Sequence, residues 1–127
     1  MTQEDRQLLL VDLSARLPYG IKGAYLNDDG SIPNDRLLSK ITITYTSLVT
    51  AGHRDGMVLK GEIKPYLFPL SSMTTKQRAE LSILVANEYD MLKAFLIEIE
   101  FYHKNHIDYR GLIPKDLAID CTNLNIY

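Results

Sequence analysis

Lys64-Pro65-Tyr66-Leu67-Phe68-Pro69-Leu70-Ser71-Ser72-Met73-Thr74 separates a β-patterned half of the chain from a helix-patterned half. Pro65 and Pro69 have no amide hydrogen to give a β-ladder. Each also pushes its predecessor, Lys64 or Phe68, into extended geometry. The segment therefore reads as a stiff connector and not as a strand. Thr74 pairs with Gln77 in the pattern of a capping box, so a helix should open immediately afterwards.

From Thr75 to about Asn105 there is neither Gly nor Pro. Leu81, Leu84, Val85, Leu92, Phe95, Leu96, Ile99 and Tyr102 recur at helical spacing and form a broad apolar stripe. Asn87-Glu88-Tyr89-Asp90 interrupts it, which predicts two helices over roughly 75–86 and 89–105. Lys104 and His106 suit the negative end of the second helix, and Gly111 supplies a left-handed turn nearby. Burying Phe95 or Leu96 beneath this stripe would contribute ~1.5–3 kcal/mol each, so a helix–sheet seam is expected to dominate stability. Leu117, Ile119 and Cys121 alternate with polar or small residues and suggest a short strand.

Upstream, Thr2 and Asp5 cap a helix over 3–16, with Leu9, Leu10, Leu13 and Leu17 on one side and Asp12 and Arg16 elsewhere on the cylinder. Pro18 stops it, and Tyr19-Gly20 turns the chain. Residues 21–26 read as a strand and Asn27-Asp28-Asp29-Gly30 as a turn. Ser31–Ser39 is ambiguous, with a loop at Pro33-Asn34-Asp35. Over 40–49, Ile41, Ile43 and Tyr45 alternate with Thr42, Thr44 and Thr46, the pattern of a half-buried strand. His53-Arg54-Asp55-Gly56 reads as a hairpin turn, and Met57–Glu62 as the returning strand. The expected fold is a single α+β domain over residues 1–127. It comprises an N-terminal helix, a small antiparallel sheet of three to four strands, and one or two C-terminal helices packed on that sheet.

With 127 residues, the chain should bury about two-thirds of its unfolded surface. Its 14 Lys and Arg are scattered among 16 Asp and Glu, for a net charge of −2. Nucleic-acid binders need a concentrated cationic footprint, so this distribution argues against that class. One cysteine rules out an internal disulfide framework. An acidic N-terminus is unlike a secretory signal, and the runs Leu8–Val11 and Phe95–Ile97 fall far short of the ~20 residues that span a bilayer. These readings predict a cytoplasmic protein without a membrane partner.

Candidate chemistry is sparse. His103, His106 and Asp108 are the one cluster of metal-ligand types, but imidazoles at a helix end also cap carbonyls. No metal or other cofactor is expected. Asp108-Tyr109-Arg110 could present the Arg110 fork to a carboxylate or phosphate, and these three are the candidate binding residues. The plainer reading is an Asp108–Arg110 pair, or Arg110 on exposed carbonyls, with Tyr109 packed on the sheet. Ser71 and Ser72 precede a helix without a nucleophile elbow or phosphate loop. Cys121 reads as a small buried hydrophobe rather than a thiolate beside His103 or His106. Asp116 and Asp120 are weak as paired carboxylates, and no catalytic residue is assigned. Eight tyrosines with no tryptophan suit half-buried seams and interfaces.

Ala15-Arg16-Leu17-Pro18-Tyr19-Gly20, Lys64 through Thr74, Asp108-Tyr109-Arg110-Gly111-Leu112-Ile113-Pro114, Leu117-Ala118-Ile119-Asp120 and Leu124-Asn125-Ile126-Tyr127 together resemble a family of small uncharacterised proteins. That family is found in anaerobic gut bacteria and their phage and mobile elements. The likeness is end to end and most specific at Lys64–Thr74, while residues 27–61 share only β-richness. It implies an α+β domain in a cytoplasmic, phage-linked setting and assigns no site residue. The expected function is a non-enzymatic protein-interaction or accessory module with a protein partner. The alternative is a nucleic-acid-binding regulator using the small sheet.

Overall fold

Thr2 Oγ1 accepts from Asp5 N while Asp5 Oδ2 accepts from Thr2 N, both at 3.1 Å, and this reciprocal cap starts helix α1 (Gln3–Arg16) where the sequence places it. A computed structural model describes residues 1–32, 40–50 and 54–127. Pro18 ends α1 in a 3₁₀ turn at Leu17–Tyr19, and Gly20, at φ +72°, swings the chain into β1 (Lys22–Tyr25). The turn after β1 closes with Gly30 N donating to Asn27 O at 2.8 Å. Most of the ambiguous stretch, 33–39, and His53 of the expected hairpin turn lie outside the described residues.

The middle of the chain departs from the sequence reading. The strand expected over 40–49 is only β2 (Ile41–Thr42), and Tyr45–Leu48 form one helical turn, α2. Ser47 causes the break. Its Oγ accepts from Thr44 N at 3.1 Å while its own N donates to Thr44 O at 3.0 Å, so a side chain captures the backbone that a strand would need. Arg54–Asp55, read as part of a turn, are strand β4, paired with β3 (Val49–Thr50). Met57–Glu62 are turns: Lys60 N donates to Gly56 O and Gly61 N to Val58 O, each at 3.0 Å. Val58 and Leu59 are both buried, which successive residues of a half-buried strand are not. Gly56 is required where it stands, because a Cβ there would lie 2.5 Å from Ser47 O.

The largest correction concerns the segment read as a connector. Ile63–Pro69 is β5, the central strand of the main sheet. It runs antiparallel to β1 with Gly23 opposite Pro65, Ala24 opposite Lys64 and Tyr25 opposite Ile63, and β2 lies on the far edge of β1. Two short parallel strands share its other edge. β7 (Ile119–Asp120) pairs with Tyr66–Leu67, and β6 (Ile107–Asp108) with Phe68–Pro69. The prolines are tolerated because of where they fall. Leu26 N bonds Glu62 O at 2.9 Å, and bonded pairs alternate in an antiparallel ladder, so the Pro65 nitrogen points away from β1. On the other edge, parallel pairing starts only at Tyr66, and Pro69 ends the strand.

Helices α3 (Thr75–Val85) and α4 (Met91–Lys104) carry the chain from β5 to β6, the crossover that a parallel pair requires. Thr74 caps α3 with Gln77, and Asp90 Oδ1 accepts from Leu92 N and Lys93 N to cap α4. The fold is thus α+β, with an N-terminal helix, a mixed sheet and C-terminal helices. α1 covers one face of the sheet: Leu9 and Leu13 meet Ile21, Ile43, Ile63 and Leu67. The C-terminal tail covers the opposite face, where Tyr66, Ala24 and Ile119 meet Cys121 and Ile126. Tyr127 pins that tail, its hydroxyl accepting from Lys22 N and donating to Tyr66 O, both at 2.8 Å. α4 reaches the sheet at the β6 edge and also touches α1. Phe95 and Leu96, expected in a helix–sheet seam, are instead 56% and 57% exposed.

Candidate functional site

Two places merit a functional reading: the joint around Asp108-Tyr109-Arg110 and the outer surface of α3 and α4. At the joint, Asp12 and Arg16 stand one helical turn apart on α1, and neither has any solvent exposure. Arg16 Nε donates to Asp12 Oδ2 at 2.8 Å, and its Nη2 reaches both Asp12 Oδ1 at 3.2 Å and Ile107 O at 2.7 Å. Arg110 Nε approaches the same Asp12 Oδ1 at 3.3 Å. One buried carboxylate therefore holds two guanidiniums. The two cations also flank the Tyr109 ring, at 5.5 Å for Arg16 and 5.2 Å for Arg110. Tyr109 stacks on Tyr102 of α4 at 5.5 Å, and its hydroxyl lies 2.7 Å from His103 Nε2.

Of the three candidate binding residues, Tyr109 and Arg110 join this cluster, though not as a free recognition fork, and Asp108 does not. Asp108 is buried, and its two carboxylate oxygens accept from Leu112 N and Ile113 N, each at 2.9 Å. Its partner is the backbone rather than Arg110. Tyr109 packs on α4, not on the sheet. The cluster ties α1, α4 and the segment after β6 to one another. Sequence reasoning missed Asp12 and Arg16 by placing them away from the core. Their four-residue spacing on a helix was the available signal, but that spacing is also common in solvated pairs.

The remaining candidates scatter. Burial, helped by the Arg16 charge, holds the His103 imidazole below its ordinary range. His106, at φ +59°, stacks on Tyr127 at 3.6 Å, and burial together with Arg16 and Lys22 lowers its pKa to about 4. Among the described residues, no group of three or more His, Cys, Asp and Glu is placed to hold a metal ion. Ser72 Oγ donates to Pro69 O at 2.7 Å. Cys121 is buried, and desolvation raises its thiol pKa to about 12. Asp116 pairs with Lys64 at 2.8 Å, whereas Asp120 caps Thr122, so the two carboxylates serve separate contacts.

No protein-family model, curated protein or solved structure matches the chain. The geometry alone carries the reading, and its most unusual part is the helical hairpin. α3 has no buried residue, and α4 buries only Phe101 and His103, both near its C-terminus. The stripe on α4 is continuous, yet its two ends have different fates. Tyr102 and His103 meet Tyr109, while Leu92, Phe95 and Leu96 lie in solvent together with Met91 and Tyr89. A separate groove of about 400 Å³ runs between the helices on another face of α4, lined by Glu80, Leu84, Ile97, Glu100, Phe101 and Lys104. Among the described residues, no helix is long and apolar enough to cross a membrane.

Proposed function

We propose that this chain is a non-enzymatic protein-interaction module whose docking surface is the outer face of α4. One observation carries the reading. Leu92, Phe95 and Leu96, at helical spacing, expose 67%, 56% and 57% of their surfaces on a helix that is otherwise well formed and capped at Asp90. Large contiguous apolar patches on a folded protein mark interaction sites, whereas scattered apolar residues do not. The joint supports the same reading from a different direction. Its carboxylates are fully engaged in holding elements together, and its rigid packing fixes the end of α4 from which the stripe extends.

The alternative, nucleic-acid binding through the sheet, has less support. Both faces of β5 are covered, one by α1 and the other by the C-terminal tail. The test is site-specific photo-crosslinking in the native host, with the reactive residue at Leu96 and, as control, at Asp29. Protein adducts from position 96 in clear excess over position 29 support the docking face. Equal yields from the two positions would overturn it.

A further inference from the structure

We infer that the C-terminal tail is an acid-opened latch: a proton on His106 releases residues 122–127 from the sheet while the rest of the fold holds. The latch is independent of the docking face on α4.

Tyr127 is its bolt. The hydroxyl is held by Lys22 N and Tyr66 O, and the ring lies face to face with the His106 imidazole, at 3.6 Å and 10°. Ile126 adds apolar packing against the cluster of Tyr66, Ala24 and Cys121. Residues 122–127 form neither helix nor strand, so they can leave the sheet without breaking a ladder.

The stack suits a neutral imidazole. His106 Nδ1 is buried and has no hydrogen-bond partner among the described residues, so a proton there would be a donor facing no acceptor. The charges acting on the ring are Arg16 from α1 and Lys22 from β1, both positive. Burial keeps the Tyr127 phenol and the Cys121 thiol protonated, and His103 on α4 turns to Tyr109 instead. The carboxylates of this region are engaged elsewhere, Asp108 with Leu112 N and Ile113 N, and Asp12 with Arg16 and Arg110. A cation–π contact with Tyr127 would be the one compensation, but Lys22 Nζ already lies 5.9 Å from that ring.

Opening hydrates the imidazole, so the open tail takes up a proton that the closed tail resists. The closed-state pKa of about 4 lies below the ordinary imidazole value of ~6.5, and opening is therefore favoured as pH falls below ~6.5. Allowing for the part of the ring that is already hydrated, the opening equilibrium should rise roughly tenfold between pH ~7.5 and pH ~5.

Cys121, the single cysteine, is buried under the tail and reports opening through its labelling by a dipyridyl disulfide. His106→Asn is the reference, because Asn tolerates the φ of +59° and cannot titrate. The ratio of wild-type to variant labelling rates removes the reagent's own pH dependence, and it should rise roughly tenfold over that range. Low urea should barely change the wild-type rate, since a local opening exposes little surface. Tyr127→Ala should label rapidly at neutral pH with an unchanged circular dichroism spectrum. A ratio that stays flat with pH overturns the inference. So does a steep urea dependence, or a Tyr127→Ala chain that unfolds, because either would make the tail inseparable from the whole fold.

Discussion

Asp12 is the residue on which the joint turns, because its carboxylate is buried between Arg16 and Arg110. Removing it leaves the Arg16 guanidinium without solvent or counter-ion, so Asp12→Ala should cost about 3–5 kcal/mol in urea unfolding. Replacing the pair together, Asp12→Leu with Arg16→Met, should cost clearly less, since the one cation then left without Asp12, Arg110, reaches solvent. Equal losses would show that packing, not charge, fixes the site. His106 gives a second prediction at this scale. Its folded pKa of about 4 lies below the ordinary imidazole value, so the unfolded chain takes up the proton more readily. Stability is therefore complete above pH ~6.5 and declines toward pH ~4, by about 2 kcal/mol after allowing for partial exposure. His103 adds slope of the same sign. Thermal melts from neutral to acidic pH should show that decline, and His106→Gln should flatten most of it; an unaltered slope would assign it to other groups.

At the scale of elements, the three long helices were legible and the strands less so. Capping boxes at Thr2–Asp5 and Thr74–Gln77 are local, reciprocal hydrogen bonds, and sequence spacing shows them directly. β5 was hidden by its prolines. Whether Pro65 breaks a ladder depends on which edge its nitrogen faces and where the neighbour begins pairing, and both are decided by residues far along the chain. The reverse error occurred at 40–49, where β-branched alternation promised a long strand and Ser47 diverted the backbone. The difference has an energetic test. Tyr66 is fully buried at the centre of β5, so Tyr66→Ala should cost about 3–5 kcal/mol. Phe95→Ala, on a helix that sequence periodicity alone would place in the core, should cost far less. Chemical denaturation of the two variants checks the ranking, and similar losses would return α4 to the core.

For the whole molecule, the arrangement of layers explains why the candidate surface escaped sequence reading. A stripe at helical period is the same pattern whether it faces a sheet or a partner. Its assignment to the core assumed that the C-terminal helices provide the cover over the sheet. Here α1 and the C-terminal tail do that, and Tyr127 closes the tail through Lys22 and Tyr66 across a separation no local pattern reports. With the sheet already covered, the hairpin meets it mainly at the β6 edge. The candidate triplet Asp108-Tyr109-Arg110 was visible as unusual sequence, but its partners on α1 were not, so its part in joining elements emerged only from the fold.

The most direct test is the unfolding free energy of the Leu92→Asp, Leu96→Asp double variant, taken at low protein concentration so that self-association adds nothing. If the stripe faces solvent in the single chain, each substitution should change stability by no more than about 0.5 kcal/mol. A loss of several kcal/mol, or a chain that no longer folds, would mean that α4 lies against the interior and would contradict the account.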